Sequence, residues 1–227
     1  MKKIIKNIIV FLLYFVYVDI ILFLLKLTGI KFKELDLLSR VIVLLFINSL
    51  FIVALFFLYK KELKKDYKDF KKNYKTYLKK YVYYYMIGVI LMALSNVIIQ
   101  QITNIKISGN EESIHELIKI VPFYMFFQSI IYAPFVEEII FRKTIRNVIS
   151  NDKLFIILSG VIFGVIHISD YSNFGQVLMG IPYIIMGIDF AYIYHKTGNI
   201  FTTMSFHFIH NLILYSMQLV GGLLWKR

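Results

Sequence analysis

Seven stretches of this sequence, residues 4–25, 41–59, 81–102, 120–141, 154–169, 177–194 and 200–224, are almost wholly apolar and approach the length of a bilayer crossing. A spanning helix needs roughly 20 mostly apolar residues, because a backbone in lipid must satisfy its own amides. With 59% hydrophobic residues and a mean hydropathy of +0.68, the chain is too apolar for a soluble domain of 227 residues. The expected fold is all-α: a polytopic membrane helix bundle of about seven transmembrane helices, six to eight at the outside.

Charge sits between the runs. Residues 60–80 hold ten Lys against Glu62, Asp66 and Asp69, whereas the segment around Glu111, Glu112 and Glu116 is net acidic. Basic loops stay in the cytoplasm, so residues 60–80 are expected inside and the acidic loop outside. Alternation then puts the N-terminus, residues 142–153 and His195/Lys196 in the cytoplasm, and Asp170 and Trp225-Lys226-Arg227 outside. The mildly basic loop 26–40 falls outside, against the rule. The excess of 26 Lys and Arg over 14 Asp and Glu thus reads as a topological signal, and no nucleic-acid partner is expected. The expected partners are membrane lipids and a peptide or protein substrate in the cell membrane.

The chain has no Cys, which excludes disulfides, thiolate metal sites and a cysteine nucleophile. Its Met1-Lys2-Lys3 start resembles a signal n-region. No small-residue cleavage site ends the following run, so it reads as a retained first span. Within residues 60–80, Tyr67, Phe70, Tyr74 and Tyr77 recur at helical spacing and would share one face. That face suits a basic amphipathic helix on an anionic inner leaflet, or else the segment is a solvated orientation signal. No repeat or linker divides the chain, and residues 1–227 are expected to form one transmembrane domain.

Ionisable groups are expensive inside a bilayer, so those within the runs are candidates for chemistry. In Val136-Glu137-Glu138-Ile139-Ile140-Phe141-Arg142, Glu138 and Arg142 are i and i+4 on one helical face and can pair, while Glu137 points about 100 degrees away. A free, desolvated carboxylate is what a general base needs. Both acids could instead cap the span at the interface. In Phe163-Gly164-Val165-Ile166-His167 an aromatic and an imidazole lie one turn apart, and Gly160 and Gly164 are spaced for close helix packing. A lone His of this kind is often a packing residue. His207 and Asn211 are again i and i+4, with His210 offset to another side. Two neutral donors on one face can hold an oxyanion.

These segments, EExxxR, FxxxH and HxxxN in that order on separate runs, resemble the CPBP family of intramembrane proteases. That family includes the Ras-converting CAAX endoprotease and bacteriocin self-immunity proteins. The resemblance covers about residues 120–224, the expected protease core. It implies that Glu137 and His167 polarise water, that His207 and Asn211 form the oxyanion site, and that Glu138 and Arg142 are a supporting pair. With a helical rise of about 1.5 Å per residue, Glu137 lies about 8 Å from Arg142, and His207 about 12 Å beyond Asn199. His167 lies roughly 20 Å beyond Lys153 by the same measure. The site is accordingly expected in the inner half of the membrane, open to the cytoplasm.

Other intramembrane proteases need residues that this sequence lacks. There is no Gly-x-Ser-Gly of a rhomboid, no Gly-x-Gly-Asp of a presenilin-type enzyme before Asp189, and no His-Glu-x-x-His. Glu137, His167 and His207 could instead be three zinc ligands with one open position. A reaction without a cofactor is the expectation, since zinc would consume Glu137 as base. The expected function is an endopeptidase that cuts a membrane-associated peptide or protein near the cytoplasmic face. The alternative is a non-proteolytic self-immunity or scaffold protein of the same family.

Overall fold

A computed structural model describes residues 2–224, and among them there is no strand. The expected external residues Trp225-Lys226-Arg227 lie outside the described residues. The helices are α1 (Lys2–Leu27), α2 (Leu37–Leu58), α3 (Lys60–Thr103), α4 (Gly109–Ile120) and α5 (Pro122–Val148), then α6 (Asp152–Val165), α7 (Phe174–Leu178), α8 (Ile181–Thr197) and α9 (Ile200–Leu224). Local chemistry sets many of the boundaries. Asp36, Ser108 and Asn151 accept from the backbone N–H three residues on, capping α2, α4 and α6. Pro occupies the first turn of α5 and of α8, where its missing N–H is harmless. Asn104 and Gly198 end α3 and α8 in the left-handed region, at φ 58° and 60°.

Five helices among the described residues are long and apolar enough to cross a membrane: α1, α2, α3, α5, and the stretch Phe174–Thr197 that joins α7 to α8. The chain is a multi-pass membrane bundle, but two of the seven expected spans differ in kind. The run 154–169 yields a helix of only 14 residues, about 21 Å at the helical rise. The last run folds as the 25-residue α9, yet Thr202, Thr203, Ser205, His207, His210 and Asn211 make it too polar. Each buries one face in the bundle, Phe155, Ser159 and Phe163 of α6 and Thr202, Thr203, Phe206 and His207 of α9, and on that face neighbouring side chains replace lipid, so full apolarity is not required.

The helix ends gather on two opposite faces. On the first, Asn7 accepts from Tyr59 Oη at 2.7 Å and from Asn147 Nδ2 at 3.2 Å. There too Lys143 Nζ meets Asp66 Oδ2 at 2.6 Å, and Asn199 Nδ2 donates to the Asp66 carbonyl and to Asp69 Oδ2. On the second, Tyr183 Oη lies 3.1 Å from Ser108 Oγ and accepts from Asn110 Nδ2, while Gly109 N–H donates to Gln176 Oε1. Every loop expected in the cytoplasm that makes these contacts is on the first, lysine-rich face. The acidic loop is on the second.

Residues 60–80 are the first half of the 44-residue α3. Their aromatic face is partly used by the protein itself, since Tyr67 and Phe70 pack on Phe201 with centroids 5.7 and 6.2 Å apart. The glycine spacing in α6 has the expected use. A Cβ on Gly160 or Gly164 would stand 2.6 Å from the backbone nitrogen of Ile188 or Ile184, so α6 and α8 meet backbone to backbone. Fixed in this way, α6 and α8 form one wall of a polar interior.

Candidate active site

The polar centre grows from α5, which is not a regular helix. Phe127–Tyr132 and Glu138–Thr144 wind as π turns, each with an extra residue per turn. Pro134 lacks the N–H that a regular helix would give to Ile130, and Ala133 N–H reaches back to Gln128 instead. Within the second wide turn the Thr144 hydroxyl donates to the Ile140 carbonyl. Such bulges re-aim side chains, and they recur at functional sites.

Glu138 and Arg142 pair as their spacing predicts, with Arg142 Nε 3.2 Å from Glu138 Oε2 and both side chains fully buried. The guanidinium is held further by Ser159. Its Nη1 donates to Ser159 Oγ at 2.7 Å, and that hydroxyl donates in turn to the Phe141 carbonyl. Phe163 and Phe190 flank it, with the guanidinium carbon 4.9 and 5.9 Å from the ring centroids. Glu138 has a second partner that sequence spacing could not give. His207 Nδ1 lies 3.0 Å from Glu138 Oε1, and because a carboxylate facing Arg142 can only accept, Nδ1 carries the proton. The ring's other nitrogen lies 3.9 Å from Glu137 Oε2.

Glu137 is free of the Arg142 face, as expected. Its side chain is 13% exposed, where Glu138 has no exposure. That difference separates a group that can meet water from one that cannot. His167 Nδ1 stands 2.7 Å from the Phe163 carbonyl, an acceptor, which assigns the proton to Nδ1 and leaves Nε2 as the ring's acceptor. Its ring stacks on Tyr183 at 4.6 Å between centroids. Asn211 gives one amide hydrogen to the Ser129 carbonyl at 2.8 Å. The second hydrogen has no partner in that bond.

All four expected site residues, Glu137, His167, His207 and Asn211, line one cavity of about 370 Å³, within the range of about 300–1,000 Å³ typical of ligand sites. Glu138 and Arg142 stand behind it. Ser159 and Tyr183 are absent from the residues expected at the site. So is His210, although that residue lines the cavity and its Nδ1 lies 3.3 Å from Tyr85 Oη. No local pattern marks these contacts, since each joins different helices. Among the described residues no three His, Asp or Glu side chains group as metal ligands, the trio Glu137, His167 and His207 included.

The cavity differs from expectation in the direction in which it extends. The cavity runs from Glu137 and His207 toward Ser108, Asn110 and Glu111, and its lining contains nothing from residues 60–80, 142–153 or 195–199. It extends away from the lysine-rich face rather than opening onto it. The reason lies in α6, which starts on the lysine-rich face at Asp152 and carries His167 past its far end, against Tyr183.

Comparison with known proteins adds a family. Residues 119–213 match the family described as Type II CAAX prenyl endopeptidase Rce1-like. YdiL of Bacillus subtilis, described as a candidate membrane peptidase, is 33% identical over 115 residues, which are 49% of this chain and 44% of that protein. The UPF0177 protein YvdC of Lactococcus lactis is 28% identical over 129 residues, 56% of this chain and 48% of its own length. The chain thus spans less than half the length of these relatives. No solved structure matches it.

Proposed function

From the match of residues 119–213 to the Rce1-like family, we propose that this chain is a member of that family and an intramembrane endopeptidase. It hydrolyses a membrane-associated peptide or protein with water activated by Glu137 and His167. The observation that carries this reading is the single cavity shared by Glu137, His167, His207 and Asn211.

In the proposed reaction Glu137 takes a proton from water as the water oxygen attacks the scissile carbonyl carbon. The Nε2 of His167, left as an acceptor by the bond to Phe163, accepts a hydrogen bond from the other O–H of the water, which stays intact, and orients the attack. The carbonyl oxygen becomes an oxyanion, facing His207 Nε2 and the amide of Asn211 as donors. This donor role requires a proton on His207 Nε2 besides the one that Nδ1 gives to Glu138. Collapse breaks the C–N bond, and Glu137 returns its proton to the departing amine. No step uses a metal. Arg142 does not touch the cavity. It neutralises Glu138, which fixes the ring of His207.

A non-proteolytic self-immunity or scaffold protein would have no use for this arrangement, since burying charges costs several kcal/mol. The experiment compares membrane peptides from a null strain that expresses the parent, His167→Ala or His207→Ala. A peptidase yields a product that disappears with both variants. If both keep the biological activity with an unchanged peptide profile, proteolysis is rejected in favour of the immunity or scaffold role.

A further inference from the structure

Resting on the proteolytic reading, we propose that the substrate enters from the face opposite the lysine-rich one. The cleaved segment then reaches the site from the outer side of the cell membrane.

Two independent observations meet here. The first is the floor of the site. Between Glu137/His207 and the lysine-rich face, Ile139, Ile140, Phe141, Phe155 and Ile200 have no exposure. Arg142 fills the space above them with none either. Neither water nor an extended peptide passes through a layer packed in this way. The second is the mouth. In the other direction the cavity continues past Ser129, Asn211 and Tyr183 to Asn110 and Glu111 on α4 and to Gln218 on α9. Glu111 there has a side chain 37% exposed. The cavity that holds the site therefore extends toward α4 and not toward the lysine-rich face.

Sidedness follows from charge. Ten Lys in residues 60–80 hold that face in the cytoplasm, and the hydrogen bonds that join it to Asn7, Lys143, Asn147 and Asn199 make it one surface. The mouth at Asn110 then faces outward. The substrate class is a membrane-associated peptide whose cut segment lies at the external surface. A translocation or insertion step must precede the cleavage.

The sequence supplies a clean test, because it contains no Cys. Asn110→Cys and Gln218→Cys mark the mouth, Ser129→Cys the interior and Lys68→Cys the opposite face. Intact cells are treated with a small, charged, membrane-impermeant thiol reagent, and the labelling is compared with that after permeabilisation. Asn110→Cys, Gln218→Cys and Ser129→Cys should label as fully in intact cells as in permeabilised ones, and Lys68→Cys only after permeabilisation. Either mouth position suffices should the other fail to accumulate. Ser129→Cys that labels only after permeabilisation, or under neither condition, overturns the proposed entry route. Lys68→Cys that labels in intact cells overturns the sidedness. Labelling needs no turnover, so it stands or falls separately from proteolysis, which Glu137→Gln tests.

Discussion

The imidazole of His207 is tied through Nδ1 to Oε1 of the fully buried Glu138, at 3.0 Å. That one bond joins α9 to the wide turn of α5 and leaves the other ring nitrogen toward Glu137. The site thereby divides into the four residues that line the cavity and the buried pair, Glu138 and Arg142, that holds His207 in place. The expected effects of substitution divide the same way.

Glu137→Gln keeps the volume and most of the hydrogen bonding of a side chain that reaches the cavity but removes the base. Cleavage should fall by ~10² or more while the protein still inserts and accumulates. The measurement is turnover by purified protein in detergent. Near-normal rates would remove Glu137 from water activation.

Arg142→Ala leaves Glu138 buried and facing only His207. The loss is up to about 3–5 kcal/mol for breaking a buried pair, so lower abundance and a lower melting temperature in detergent should accompany lower activity. A variant as thermostable as the parent would contradict the buried geometry.

Ser159→Ala removes the hydroxyl between Arg142 Nη1 and the Phe141 carbonyl. About 1–3 kcal/mol should be lost, because two buried polar groups lose a partner. Ser159→Ala should melt between the parent and Arg142→Ala, and combining the two substitutions should cost less than their sum, since they act on one network. Additive losses would place Ser159 outside it.

Gly164→Leu forces a side chain against the Ile184 backbone, where even a Cβ would be 2.6 Å from nitrogen. Overpacking of this kind typically costs about 1–3 kcal/mol. Since backbone cannot turn aside as a side chain can, the bundle should unfold at lower temperature or fail to accumulate. Full accumulation and unchanged melting would mean that α6 and α8 do not meet so closely.

Exposing the purified enzyme to a strong zinc chelator, with metal content followed to confirm exchange, should leave cleavage unchanged. Loss of activity that added zinc restores would replace the Glu137 and His167 reaction with metal chemistry at residues not grouped as a metal site in this structure.

The helical bundle, the pairing of Glu138 with Arg142 and the freedom of Glu137 were legible because each depends on spacing within one helix. So were Gly160 and Gly164 as a packing face, and the relative sides of the basic and acidic loops. The sequence by itself determined these, since helical geometry and the transfer of charge out of lipid act locally along the chain. Tertiary structure alone decided that Glu138 serves His207 as well as Arg142, that Ser159 anchors the guanidinium, and that Tyr183 stacks on His167. It also decided the direction of the cavity. Run lengths did not give that direction, because they treat each span as a straight, full-length helix. The short α6 and the two wide turns of α5 depart from that geometry, and packing between helices sets where their side chains meet.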